Sequence, residues 1–152
     1  MADENEVKDP RIDGIKTKIR VVPDFPKKGI MFQDITTLLL DPKAFKDTID
    51  LFVERYRDMN ISVVAGEIIF EEYELEYGSD RLEMHVEAVD SGDRALVVDD
   101  LIATGGTLSA AMNLLRRVGA EVVECACVIE LPELKGRERL EGKPLYVLVE
   151  YR

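Results

Sequence analysis

The chain has no tryptophan, a single histidine (His85) and only two cysteines, Cys125 and Cys127. So few soft ligands leave little for a zinc cluster and nothing for a disulfide framework. The two cysteines are spaced i, i+2 in an apolar run, so they share one face of a strand and read as reduced packing thiols. No apolar run approaches the roughly 20 residues a membrane helix needs, so no membrane span is expected. Basic residues are in the minority: 20 Lys and Arg stand against 31 Asp and Glu, a formal net charge of -11. Such a chain repels phosphate backbones, and it has no local basic patch to offset that, which argues against nucleic-acid binding. The opening "MADENEVKDP" is polar and acidic, unlike a secretory signal; with reduced thiols, this points to the cytoplasm. Repeats, low-complexity tracts and linkers are missing too, so 152 residues read as one domain with a sizeable core.

Elements present alternate between the two periodicities. Residues 1–10 read as a disordered acidic tail. Ile12, Ile15 and Ile19 are at helical spacing and predict a short amphipathic helix over 11–22. "PDFPKKGIMFQDIT", with Pro23, Pro26 and Gly29, reads as an ordered loop. Asp41 and Pro42 make a helix start, followed by an apolar stripe of Phe45, Ile49, Phe52, Val53 and Tyr56. "ISVVAG" is a buried strand. Residues 71–89 alternate strictly around Gly78 and Ser79 and predict a β-hairpin, in which His85 reads as structural. Then come a strand "ALVVD", a helix over 106–118 stopped by Gly119, a strand "EVVECACVIEL", a short turn or helix "ELKGRERL" and a last strand "LYVLVEY". The "KGRER" segment reads as a solvated face. Strands alternating with helices predict an α/β fold with a mainly parallel sheet flanked by helices.

"ALVVDDLIATGGTLSAA", residues 95–111, carries the chemistry. It puts Asp99 and Asp100 at the carboxyl end of a parallel strand, where α/β sheets bind ligands. Thr104-Gly105-Gly106-Thr107 follows at the start of a helix. Glycines allow close backbone approach, and the free N–H groups of the helix with two threonine hydroxyls form a cradle for a phosphate monoester. The carboxylates cannot bind that phosphate. They suit the hydroxyls of a ribose, or a magnesium ion. One turn therefore asks for a phosphorylated ribose. Neither G-x-G-x-x-G nor G-K-[ST] is present, which excludes dinucleotide and Walker-type sites.

This stretch resembles the phosphoribosyl-diphosphate signature of type I phosphoribosyltransferases. "PDFPKKGIMFQDIT" resembles the N-terminal hood of the adenine phosphoribosyltransferases, placing a hood region at 11–40, and "ELEYG" and "CVIELPELKGRERL" are similar to segments of the same family. The resemblance covers nearly the whole chain. It implies transfer of a phosphoribosyl group to adenine in purine salvage, giving AMP and pyrophosphate with Mg²⁺, in a cytoplasmic homodimer. By the same resemblance Asp99 and Asp100 face the ribose hydroxyls, and Ala103, Thr104, Gly105, Gly106 and Thr107 hold the 5'-phosphate. Phe32 stacks on adenine while the Met31 and Gln33 backbones read its edge. Glu76 matches the carboxylate of a catalytic loop, with Tyr77 beside it. No residue is assigned to a protein-bound metal.

The chain departs from that family after "VVAG", which meets "EIIFEEYELEYG" directly. The family has a further strand–helix unit there, of roughly thirty residues, with the pyrophosphate loop and basic residues for the leaving group. Its absence opens an alternative: a module that binds AMP or ribose 5-phosphate without turnover, or a non-functional product that folds poorly.

Overall fold

The computed structural model describes residues 9–66 and 89–151. The chain divides into two units, one running to Tyr56 and the other from Arg57 onward. The hood region expected at 11–40 falls inside the first.

The first unit begins with helix α1 (Pro10–Lys18). The Asp9 carboxylate accepts from the Arg11 amide at 2.9 Å, and Pro10 occupies the first turn, where its missing N–H costs nothing. Asp9 and Pro10, expected within a tail, are instead the cap and first residue of a helix; residues 1–8 of that expectation lie outside the described residues. That helix is also shorter than the predicted 11–22. It stops at Lys18, Ile19 is extended, and Arg20–Pro23 forms strand β1. The β-branched pair Val21-Val22 suits an extended chain once a partner strand exists. That partner is β2 (Met31–Asp34), antiparallel, with Val22 opposite Phe32. The stretch read as a loop thus contains a strand, and its last threonine opens the one-turn helix α2 (Thr36–Leu39).

Helix α3 (Pro42–Tyr56) starts as predicted, with the Asp41 side chain accepting from the Ala44 amide at 2.9 Å. Its buried face is Ala44, Thr48, Leu51 and Tyr56. Of the apolar stripe read from the sequence, only Tyr56 belongs to that face, while Phe45, Ile49 and Val53 are 42 %, 46 % and 48 % exposed. Helices α1 and α2 both pack on α3.

Among its described residues the second unit holds a four-stranded sheet in the order β3 (Val63–Gly66), β4 (Arg94–Ile102), β5 (Glu121–Glu130), β6 (Leu145–Glu150), every pair parallel. This is the α/β class the sequence predicts. Helix α4 (Gly106–Arg117) connects β4 to β5. Its Leu108, Met112 and Leu115, spaced for one face, pack with Ala95 and Val97 of β4 and Cys125 and Cys127 of β5 in one core. Full burial of each such side chain contributes about 1.5–3 kcal/mol. Gly119, at φ 84°, ends the connection in the left-handed region, where a side chain is disfavoured. From Glu124 to Glu130 every residue of β5 is buried, as expected for an inner strand of a parallel sheet. At the β3 edge, Val64 is 62 % exposed. The hairpin predicted over 71–89 lies outside the described residues, apart from Val89.

Candidate functional site

Strand β4 carries its acids two residues before its end. The ladder to β5 continues past Asp99, which is opposite Cys127, as far as Ile102, opposite Glu130. Both carboxylates are therefore fixed on a strand rather than in a loop. Asp99 is half-buried and accepts from the Asp100 amide at 2.7 Å; Asp100 is exposed. Ala103, Thr104 and Gly105 make the turn, and α4 begins at Gly106, where the sequence placed it.

Gly105 is at φ 82°, and no side chain caps the helix it starts. The first amides of α4 thus keep their hydrogen-bonding capacity for a ligand. Thr104 and Thr107 are exposed at this end. A cavity of about 160 Å³ lies here, lined by the continuous run from Asp99 to Leu108. A smaller one beside it is lined in part by Gly66, Asp99, Thr107 and Leu108. The end of β3 therefore adjoins the cradle. One structure brings together two carboxylates, two hydroxyls and an uncapped helix start within a single turn. Its chemistry suits a phosphate monoester attached to a group with hydroxyls.

A contact the sequence did not disclose supports this turn from behind. A Cβ on Gly105 would lie 2.4 Å from the Gly136 carbonyl oxygen. A Cβ on Gly136 would lie 2.5 Å from the Ala103 oxygen and 2.8 Å from Ile102 Cγ1. Two glycines thus face each other backbone to backbone. Gly136 opens a 3-10 turn (Gly136–Leu140) whose next residue, Arg137, donates to buried Glu130 from Nε at 2.7 Å and Nη2 at 2.9 Å. The only sequence signal for this role is a glycine set among the charges of "KGRER", which alone reads as solvated.

In the first unit, Met31, Phe32 and Gln33 lie together on β2. Phe32 is 40 % exposed and meets Phe25 edge-to-face, with ring centroids 5.2 Å apart. Asp34 anchors the end of the strand. Its carboxylate accepts from the Thr36 hydroxyl at 2.6 Å, the Thr36 amide at 2.9 Å and Arg20 at 2.6 Å. The Thr36 hydroxyl, then its amide, then the Arg20 guanidinium hold the Asp34 carboxyl below its usual pKa. Glu76 and Tyr77 lie outside the described residues.

The cysteines are buried free thiols. Burial pushes the Cys125 thiol up to about 11 and that of Cys127 up to about 12, so neither is a nucleophile at neutral pH. Among the described residues, no group of three or more His, Cys, Asp or Glu side chains is placed to hold a metal ion. No helix among them is long and apolar enough to cross a membrane.

Comparison with known proteins agrees with this geometry. Residues 26–144 match the family model of the phosphoribosyl transferase domain. The chain is similar to adenine phosphoribosyltransferase 4 of Arabidopsis thaliana, 81% identical over 180 aligned positions that cover 98% of this chain and 99% of the relative. Its fold is similar to the crystal structure of the adenine phosphoribosyltransferase of Rhodothermus marinus, with a TM-score of 0.77 and 32% identity over 93% of this chain and 98% of that one. It is also similar to the Saccharomyces cerevisiae enzyme complexed with an imino-altritol bisphosphate and adenine, at a TM-score of 0.76 and 28% identity, covering 91% and 98% of the two chains. Fold and cradle together define a phosphoribosyltransferase domain. Within that class, the chain belongs to the adenine phosphoribosyltransferases. An alignment of 180 positions to a chain of 152 residues leaves at least 28 positions of the Arabidopsis relative without a counterpart here.

Proposed function

We propose that the chain acts in purine salvage on adenine and 5-phosphoribosyl diphosphate, forming AMP and releasing pyrophosphate. The observation that carries this reading is the cavity bounded by Asp99 to Leu108, which joins ribose-type acceptors to a phosphate cradle in one turn. The high identity to adenine phosphoribosyltransferases supports it over a binding module without chemistry.

In the reaction, adenine N9 forms a bond to the anomeric carbon as the bond from that carbon to pyrophosphate oxygen breaks. The departing pyrophosphate takes the electron pair, and the N9 proton is lost. Asp99 and Asp100 accept hydrogen bonds from the ribose hydroxyls and orient the ring. The turn from Ala103 to Thr107 holds the 5'-phosphate through amides and hydroxyls, so it fixes the sugar in both ground and transition states. Phe32 offers an exposed ring for the purine, with the Met31 and Gln33 backbones along its edge. Glu76 and Tyr77 are assigned to the loop over the reacting centre by family resemblance.

The oxygen-only donors Asp99 and Asp100 suit a hard cation that retains waters, so they fit Mg²⁺ arriving with the diphosphate. When bound, Mg²⁺ would neutralise charge on the leaving group. A cytoplasmic location fits the buried, protonated thiols. A homodimer fits the exposed stripe of Phe45, Ile49 and Val53 on α3.

The test is calorimetry of the full chain with AMP, beside an assay of AMP formation from adenine and phosphoribosyl diphosphate. AMP binding with measurable turnover is the expected result. No binding of AMP or ribose 5-phosphate would overturn the reading. Binding of AMP with no turnover at any Mg²⁺ concentration would favour the module instead.

A further inference from the structure

The segment "KGRER" looks like a solvated face in the sequence, yet its two arginines have different surroundings. Arg137 is committed to the fold. It holds both oxygens of Glu130, which is 3 % exposed, and donates from Nη1 to the Leu145 carbonyl at 3.2 Å. Leu140, at the end of the same turn, is fully buried in the core. Gly136 is wedged against Ala103 and Gly105. A turn pinned at its start, its second residue and its end has little freedom, so the position of Arg139 between them is set by the fold.

That position is above the start of α4. A Cβ built on Gly106 would lie 3.5 Å from Arg139 Nη1 and 3.7 Å from Thr104 Oγ1. The space that glycine leaves open is thus bordered by a guanidinium and a hydroxyl, both donors. Arg139 is exposed, and its guanidinium makes no hydrogen bond or ion pair with another described residue. Its neighbours differ: Arg116 pairs with Glu141 and Arg137 with Glu130. The residues lining the cavity include two aspartates and no lysine or arginine. A dianionic phosphate entering it meets those aspartates with only amides and hydroxyls to offset them. A guanidinium beside Thr104 and Gly106 supplies the missing charge.

We propose that Arg139 is a binding residue for the 5'-phosphate, reaching over Gly106 to share the phosphate with the Thr104 hydroxyl and the first amides of α4. This rests on the reading of the turn as a phosphate cradle. It assigns to the segment after β5 a direct part in substrate recognition, making the cradle two-sided.

Calorimetry of the full chain with ribose 5-phosphate tests it, with Arg139→Gln and Arg139→Lys beside the parent and the melting midpoint of each free protein recorded. Charge-assisted bonds are strong but exposure weakens them, so Arg139→Gln should bind ribose 5-phosphate about five- to tenfold more weakly. Arg139→Lys should recover most of that loss, and both midpoints should match the parent. Parent-like affinity in Arg139→Gln would overturn the proposal and leave the cradle reading intact. Equal weakening in both variants with lowered midpoints would make Arg139 a structural residue and overturn it as well. No binding of ribose 5-phosphate by the parent would remove the cradle reading, and the role of Arg139 with it.

Discussion

The amide of Asp100 donates to Oδ1 of its neighbour Asp99 at 2.7 Å. That bond ties one carboxylate to the backbone of the turn and leaves the other exposed. The two acids therefore differ in freedom: Asp99 is half-buried and tied to the end of its strand, and Asp100 is exposed.

Asp100→Asn should weaken ribose 5-phosphate binding with little change in stability. The side chain is exposed and keeps its size, so no packing is lost. A hydrogen bond to a charged group contributes about 1.5–3 kcal/mol, and exposure places this one at the low end, roughly tenfold in affinity. Calorimetry measures the first effect and urea unfolding the second. Unchanged affinity would remove Asp100 from the ribose site.

Gly105→Ala should be costly. The residue is at φ 82°, and its new Cβ would meet the Gly136 oxygen at 2.4 Å. The left-handed conformation costs about 1–2 kcal/mol for a side chain, and overpacking adds about 1–3 kcal/mol. Urea unfolding should show a loss of about 2–5 kcal/mol, with weakened phosphate binding because the cradle must shift. A loss below about 1 kcal/mol would mean that the two backbones separate easily.

The buried thiols predict both a chemical and a pH response. Folded Cys125 and Cys127 should resist a thiol reagent at neutral pH and react once denaturant is added. Their raised pKa values mean that the folded state holds these protons more tightly than the unfolded chain does. Their contribution is complete below the unfolded value of about 8.5 and is lost as pH rises toward about 11 and about 12. Urea midpoints measured from neutral to alkaline pH should fall across that window. Rapid labelling of the native protein would contradict the burial.

The site turn was legible because its signals are local. An apolar run, an acid pair, a glycine at a left-handed position and Gly119 at the far end each act within a few residues of themselves. Those signals place both ends of α4 and the start of β4 within one residue of where the structure has them, while β4 runs three residues past the predicted Asp99, to Ile102. β1 and β2 were not legible, since four-residue strands owe their existence to each other across a loop and not to any periodicity. Helix α3 shows a different limit. Its apolar stripe suggests the buried face, yet Ala44, Thr48 and Leu51 are covered together with Tyr56, while Phe45, Ile49 and Val53 are exposed. The Gly105–Gly136 contact joins residues 31 apart in sequence, and nothing near either one signals the other.

By its family resemblance the sequence departs after Gly66, and the Arabidopsis relative aligns over at least 28 positions that have no counterpart here. Gly66 ends β3 beside the cradle, and Val64 on that edge strand is 62 % exposed. Among the described residues β3 has no strand on its far side, which fits the loss of a neighbouring strand–helix unit. In the family that unit carries the basic groups that meet pyrophosphate. Charge on the leaving group grows in the transition state, so those contacts act on rate. Each is worth about 1.5–3 kcal/mol, and losing three would slow turnover on the order of 10³–10⁷-fold. A chain with the relative's residues restored after Gly66 should therefore form AMP at least about 10²-fold faster than this one. Its affinity for ribose 5-phosphate should change little, because Asp99 to Thr107 are already in place. Equal rates in the two chains would show that other residues meet the leaving group, and would place the chemistry in the residues present.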